Sequence, residues 1–264
     1  MGARVIVITS GKGGVGKTTT TANIGAALAD KGHKVLLIDT DIGLRNLDVV
    51  MGLENRIVYD LIDVIEGRCR VSQALIKDKR CPNLVLLPAA QIRDKNDVNT
   101  DQMKELIHSL KESFDYILID CPAGIEQGFK NAIVAADEAI VVTTPEVSAT
   151  RDADRIIGLL EAAGIKPRLV VNRLRIDMVK DKNMLSVEDI LDILAVKLLG
   201  VVPDDENVVI STNKGEPLVY KGDSLAAKAF KNIASRIEGV EVPLLDLDVK
   251  MSILEKIKFV FKRW

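Results

Sequence analysis

The run Val5-Ile6-Val7-Ile8-Thr9-Ser10-Gly11-Lys12-Gly13-Gly14-Val15-Gly16-Lys17-Thr18 decides the fold of this 264-residue chain. Its first five residues form a short β-branched stretch of strand character. Its last eight match G-x-x-x-x-G-K-[ST] in full, and they sit where that motif must sit, between a strand and a helix-length segment. The residue types follow from the chemistry. Glycines let backbone N–H groups converge on phosphate oxygens without side-chain clashes. The helix N-terminus adds partial positive charge. Lys17 is placed to reach β- and γ-phosphates, and the Thr18 hydroxyl to ligate Mg²⁺. Gly11, Gly13, Gly14, Val15 and Gly16 complete the cradle. Lys12, one residue into the loop, is a second cation for the triphosphate. Because Lys17 already serves in cis, Lys12 is free to serve a neighbouring nucleotide in a face-to-face dimer, the role an arginine finger fills elsewhere.

Outward from the loop, β-branched runs alternate with helix-length segments. Val5–Thr9, Val35–Asp39, Leu84–Leu87, Tyr116–Asp120, Ala139–Thr143, Leu169–Asn172 and Leu198–Val202 read as buried strands, their near-continuous apolar character fitting strands covered on both faces. Thr19–Asp30, Met103–Glu112, Gly128–Ala136, Ser148–Ala163, Val187–Ala195 and Ser224–Glu238 read as helices, with Gly32 and Gly164 as stop signals. The alternation predicts an α/β fold: a doubly wound, mostly parallel sheet flanked by helices, plus a C-terminal amphipathic helix. Two strands end in carboxylates. Tyr116-Ile117-Leu118-Ile119-Asp120 has the Walker B pattern, with Asp120 holding Mg²⁺ through its water shell. Leu36-Leu37-Ile38-Asp39-Thr40-Asp41 turns Asp39 to the metal region and leaves Asp41 in the following loop to orient the attacking water. Cys121 invites a nucleophile reading, but a cysteine phosphatase needs Arg six residues on and position 127 is Gln, so Cys121 reads as a small buried residue.

Composition narrows the function classes. Hydrophobic residues at 47% support a sizeable core, and 28% charge keeps the chain out of the disordered class. No run approaches the ~18 apolar residues of a membrane-spanning helix, and the N-terminus is too short in apolar residues for a signal peptide. The expectation is a cytoplasmic protein. Three cysteines without a CxxC, and two histidines, exclude a disulfide framework and a cysteine metal site within the chain. Aromatics at 3% argue against a stacking surface for nucleic acid. Charge is uneven: residues 250–264 carry five cations against Glu255, net +4, which leaves the rest of the chain at −6. An acidic body does not attract nucleic acid through its field, so no nucleic-acid partner is expected.

The one compositional break is Glu241–Val249, acidic, with Pro243 barring helix continuation. It divides the chain into an ATPase domain over 1–240, a linker over 241–249 and a helix over 250–264. At ~100° per residue, Ile253, Leu254, Ile257, Val260, Phe261 and Trp264 fall within about 120° of one another, with Lys256, Lys258, Lys262 and Arg263 outside that arc. An apolar face, a basic polar face and a terminal Trp describe a helix lying in the interface of an anionic membrane.

Together the loop Lys12-Gly13-Gly14-Val15-Gly16-Lys17-Thr18 and the stretches Ile42–Asp60, Gln73–Arg80, Asp120–Gly128, Thr143–Ile156 and Asn213–Pro217 resemble the deviant Walker A ATPases, the ParA/MinD group, and within it the cell-division branch. The resemblance runs over nearly the whole chain. It implies an ATP-dependent homodimer, with Mg²⁺, that binds the cytoplasmic face of the cell membrane peripherally, recruits the septum inhibitor MinC, and is released when a topological regulator (MinE-like, or a polar scaffold) stimulates hydrolysis. Carried over by position, Lys12 is the signature lysine acting across the dimer and Asp41 the switch carboxylate. Asn46 is a nucleotide-sensing residue near the dimer face. Asn172 and Arg173, with Pro203 and Asp205, form the adenine-contacting turn. Ser148, Arg151, Asp152 and Asp154 form the partner-binding surface. A ParA-like ATPase for chromosome or plasmid partitioning is the alternative, and it would need a basic surface on the dimer. An electron-transfer protein related to the nitrogenase iron protein is rejected, because Asp120 is followed by Cys-Pro-Ala-Gly where Cys-Gly-Gly is required.

Overall fold

The computed structural model describes residues 2–91 and 98–247. Eight strands form one sheet: β1 Arg4–Thr9, β2 Val35–Asp39, β3 Ile76–Lys77, β4 Leu84–Leu87, β5 Tyr116–Asp120, β6 Glu138–Thr143, β7 Lys166–Leu174 and β8 Lys197–Pro203. Their order is β3-β4-β2-β5-β1-β6-β7-β8. Every pairing is parallel except β3 with β4. The seven strands expected from sequence are all present. β3 is an addition to them: two residues pairing antiparallel on an edge carry no periodicity to read.

The helices are α1 Lys17–Asp30, α2 Leu47–Met51, α3 Leu61–Ile65, α4 Val71–Ala74, α5 Thr100–Leu110, α6 Gln127–Ile133, α7 Val147–Ala162, α8 Ile176–Lys180, α9 Val187–Leu194, α10 Glu206–Asn213 and α11 Leu225–Ile237. Five of these (α2, α3, α4, α8 and α10) lie outside the sequence reading. Four are four or five residues long, and such short turns of helix are held by caps and packing rather than by their own pattern. α3, for instance, starts at a reciprocal cap between Asp60 and Asp63.

Strand alternation places the core. In β1, Ile6 and Ile8 face one side and Val5 and Val7 the other, and all four are fully buried. The first side packs under α1 and α11 through Ile24, Leu28, Phe230 and Ile233. The second packs under α5, α6 and α7 through Met103, Ile107, Phe129, Ile156 and Leu160. Both faces of the parallel sheet are therefore covered, which is what its unbroken apolar strands require.

α11 ends earlier than Pro243 alone would impose. Gly239 takes the left-handed conformation (φ 89°) and donates to the Arg236 carbonyl. Residues 241–247 then run without regular structure and are tied to the body. The Arg236 guanidinium donates to the carbonyls of Val242 (2.9 Å), Pro243 (2.8 Å) and Leu199 (2.9 Å), and Leu245 and Leu247 pack on the two cores. The helix expected over 250–264, with Ile253, Leu254, Ile257, Val260, Phe261 and Trp264, lies outside the described residues. Among the described residues no helix is long and apolar enough to cross a membrane.

Leu118 sits at the centre of the sheet, fully buried. Leu118→Ala is expected to destabilise the fold by about 2–5 kcal/mol, read by chemical denaturation, whereas Val58→Ala, at a side chain 78% exposed, should change it by less than about 0.5 kcal/mol.

Candidate active site

The phosphate loop leaves β1 at the C-terminal edge of the sheet, where strand order reverses between β5 and β6 on either side of β1. Crevices at such switch points are where α/β sheets bind ligands. Gly14 (φ 77°) and Gly16 (φ 97°) are left-handed. A side chain on Gly16 would collide with the Asn172 amide, and one on Gly11 with the Asp152 backbone. Gly11 and Gly16 thus let α7 and β7 close on the loop from outside, while a Cβ on Gly14 would project into open space in the cradle itself. α1 begins on the left-handed Gly16 with no side-chain cap, a lack it shares with α2, α6, α7 and α8. What sets its N-terminus apart is the glycine-rich loop that leads into it, an arrangement that suits an anion.

Behind the loop lies a cluster of buried charge. Asp39 and Asp120 end the paired strands β2 and β5 in register, both almost wholly buried, and Lys17 is only 8% exposed. The hydroxyls of Thr18 and Thr21 donate to the Asp120 carboxylate, Thr21 Oγ1 to Oδ1 at 3.2 Å. Asp39 accepts from the backbone N–H of Asp41 (2.9 Å) and of Leu47 (3.2 Å), so one carboxylate pins both ends of the loop between β2 and α2. Burial, followed by the charge of Asp120, holds the Asp39 carboxyl well above the usual carboxylate range. Burial likewise pushes Asp120 up to about 6, against the Thr18 hydroxyl and the Lys17 ammonium that pull it down. Two desolvated carboxylates beside a threonine hydroxyl are hard oxygen donors short of positive charge, and this donor set fits Mg²⁺.

The remaining predicted residues fall around this centre. Lys12 Nζ is held at the start of α7, 3.2 Å from Glu146 Oε2 and 3.2 Å from Ser148 Oγ. Asn46 is exposed and stands at the N-terminus of α2. Asn172 Nδ2 donates to the Val15 carbonyl (2.8 Å) and so props the phosphate loop. Arg173 follows with φ 58°, at a register break in β7, and Leu174 pairs with Pro203 at the end of β8. The turns bearing Asn172, Arg173, Pro203 and Asp205 are therefore neighbours. Asp205 caps α10, accepting from Asn207 N (2.9 Å). Ser148, Arg151, Asp152 and Asp154 are exposed along α7. Cys121 is buried, with its thiol pushed up to about 12 by burial first.

Two contributors escape a sequence reading. Thr21 is one turn along α1 from Lys17, and helical spacing in the Thr18–Thr21 run is a signal that could have found it. Glu146 meets Lys12 from 134 residues away, and no local pattern carries that.

A family model described as an AAA domain matches residues 3–166. The septum site-determining protein MinD of Synechocystis is 64% identical over 245 residues, 92% of each chain. That of Bacillus subtilis is 58% identical over 260 residues, 97% of each. The chain belongs to the MinD family. Among solved structures, the MinC:MinD cell division protein complex of Aquifex aeolicus matches at TM-score 0.84 and 53% identity, over 92% of this chain and 99% of that one. The MinD of Pyrococcus horikoshii complexed with Mg-ADP matches at TM-score 0.82 and 35% identity, over 89% and 96%. As a MinD-family protein the chain is a P-loop ATPase, with ATP as nucleotide and Mg²⁺ as metal, and it acts in placing the division septum.

Because folding raises the pKa of Asp120, the folded state takes up its proton more readily than the unfolded chain. The nucleotide- and Mg²⁺-free protein should therefore gain stability as pH falls from above 6 towards 4, the ionised carboxylates costing on the order of 1–3 kcal/mol at neutral pH. Asp120→Asn should raise the apo Tm at pH 7.5 by a few degrees, flatten that pH profile, and abolish stabilisation by Mg²⁺-nucleotide, all readable by thermal unfolding. In the native protein Cys121 should also resist iodoacetamide at neutral pH, and react only on unfolding, as followed by peptide mass mapping.

Proposed function

We propose that this ATPase switches its attachment to the membrane by pairing. The observation that carries the reading is Lys12: a loop cation held at the rim by Glu146 and Ser148, contacts it would exchange for the nucleotide of a second copy. The α1 N-terminus and Lys17 would bind the β- and γ-phosphates, and the Thr18 hydroxyl, with Asp39 and Asp120 from the strand ends, would hold Mg²⁺. The metal would supply positive charge against that developing on the phosphoryl oxygens. Asp41 orients the attacking water, and Lys12 adds a cation from the partner copy. Asn46, on a segment pinned by Asp39 through Leu47, reports which nucleotide is present to the dimer face. Asn172, Arg173, Pro203 and Asp205 contact the adenine.

Pairing then changes membrane affinity through valency. The net +4 of residues 250–264 contributes about 1 kcal/mol per cation near an anionic leaflet. Six partly buried apolar side chains add to this from a ceiling of about 1.5–3 kcal/mol each. Ordering fifteen residues opposes both at about 1–2 kcal/mol of backbone entropy apiece, offset in part by helix hydrogen bonds. One tail grips marginally. Two tails on one dimer make the second insertion intramolecular, worth roughly 10²–10⁴-fold. The exposed face of α7 with Ser148, Arg151, Asp152 and Asp154 receives the partner. A relative 53% identical forms a complex named MinC:MinD, which supports MinC as that partner. A topological regulator, MinE-like or a polar scaffold, triggers release.

ATP turnover and liposome co-sedimentation, with and without anionic vesicles, test this. Wild type should bind vesicles far better with ATP than with ADP. Lys12→Ala should lose hydrolysis, and a chain ending at Val249 should lose vesicle binding while still binding nucleotide. Equal sedimentation with ADP and ATP would sink the valency switch, and retention on DNA-cellulose in ATP would favour the partitioning alternative.

A further inference from the structure

Three sequence stretches that the site does not use converge on one side chain. They are Gln73–Arg80, the end of the β2–α2 segment at Met51-Gly52, and the turn Asn213–Pro217. The Arg80 guanidinium donates through Nη2 to the Met51 carbonyl (2.7 Å) and through Nη1 to the Gly215 carbonyl (2.9 Å). Asp78, its carboxylate buried, accepts from Arg80 Nη2 (2.6 Å) and Nε (3.2 Å). Asp78 also accepts from the backbone N–H groups of Arg80 and Cys81, which fixes the β3–β4 turn. The guanidinium lies 5.5 Å from the Tyr220 ring centroid. Gly52 and Gly215 are both left-handed (φ 65° and 63°) and press against each other. A Cβ on Gly52 would stand 2.5 Å from the Gly215 carbonyl oxygen, and one on Gly215 2.6 Å from Gly52 Cα.

The two backbones so joined matter for where they lead. One runs back through α2 to Asn46, Asp41 and Asp39. The other runs back through α10 to Asp205 and Pro203. We infer that Arg80 is a positioning residue: by holding the Met51 and Gly215 carbonyls in one fork it sets the phosphate-sensing segment Asp41–Gly52 in register with the adenine-side turn Pro203–Gly215. This rests on the roles given to those segments under the proposed function. A planar fork with fixed donor directions can hold two carbonyls and a carboxylate at once, and a lysine cannot.

Both sides of the joint are anchored elsewhere, but at different ends. On the adenine side, the Asn23 side chain accepts from Val219 N (3.1 Å), just past the joint, and Asp205 is fixed by its cap on α10 and by the Ser224 hydroxyl. On the other side α2 is a five-residue helix whose start is pinned by Asp39 at Leu47 N (3.2 Å), while Arg80 holds its last carbonyl, that of Met51. Loss of the fork therefore falls on the C-terminal end of the sensing segment, and a nucleotide without a γ-phosphate should register it least.

Full-length wild type, Arg80→Ala, Arg80→Lys and Gly215→Ala are compared for affinity for a fluorescent ADP, ATP turnover resolved into kcat and KM, ATP-dependent pairing by light scattering, and thermal unfolding. All three variants should bind ADP within about threefold of wild type, with kcat lowered at least about tenfold and pairing weakened. Arg80→Lys should fail like Arg80→Ala. Gly215→Ala should do so with Arg80 intact, because its methyl pries the same joint open. The inference is overturned if ADP affinity falls in step with kcat, if kcat is unchanged, or if Arg80→Lys behaves as wild type. Should Arg80→Ala not fold, Arg80→Lys and Gly215→Ala decide the question in its place, since both keep a cation beside Asp78. A wild type that does not pair with ATP would instead defeat the pairing reading, and leave the comparison of ADP binding with turnover to decide the role of Arg80.

Discussion

Two carboxylates that water cannot reach govern the nucleotide end of this molecule. Asp39 and Asp120 lie side by side because β2 and β5 pair in register and end together. Burial opposes the ionisation of both, and the charge of Asp120 adds to the cost of ionising Asp39. A fold tolerates such a pair only where a counter-charge arrives. Lys17 supplies part of it from the start of α1, and a bound Mg²⁺ would supply more. Binding of a cation there would relieve an electrostatic deficit. Stability and ligand affinity are traded at the same atoms.

From that centre, structure is distributed outward by single polar contacts. The Asp39 carboxylate grips the backbone at Asp41 and Leu47, so any change in its charge is felt at both ends of the loop between β2 and α2. Asn172 holds the far side of the phosphate loop through the Val15 carbonyl. Glu146 and Ser148 hold Lys12 at the N-terminus of α7, whose later residue Asp152 lies against Gly11. The phosphate loop and the N-terminal part of α7 are thereby neighbours through direct contacts. A partner seated on α7 and a nucleotide in the loop would act on the same few residues, which gives a physical basis for coupling between them.

The strand pattern and the phosphate loop were legible because both are local. β1 reads as a strand from five residues, and Gly11–Thr18 reads as a phosphate loop from eight consecutive residues. Asp120 and Asp39 stood out as candidate metal ligands because each ends an apolar strand next to that loop, and the structure sets them side by side at those strand ends. Legibility ends where the determinant is a packing partner. β3 exists because Asp78 and Arg80 brace its turn, and α2 because Asp39, eight residues earlier, accepts from Leu47 N. Asp205, expected by resemblance to contact adenine, spends its carboxylate on capping α10, a helix that the hydrophobic pattern does not mark.

By itself the sequence determined the doubly wound parallel sheet, the phosphate loop with its two lysines, the carboxylates at the strand ends, and the charge contrast between an acidic body and a basic end. Each follows from residue type and spacing within a few residues, and steric and hydropathic rules act at that range. The tertiary structure alone decided that Lys12 rests on Glu146, that two carboxylates become one electrostatic unit, and that Arg80 joins Met51 to Gly215. The Lys12 and Arg80 contacts depend on segments tens to more than a hundred residues apart meeting within 3.2 Å, and the carboxylate pair on two strands ending in register; only the closed fold sets distances of that kind.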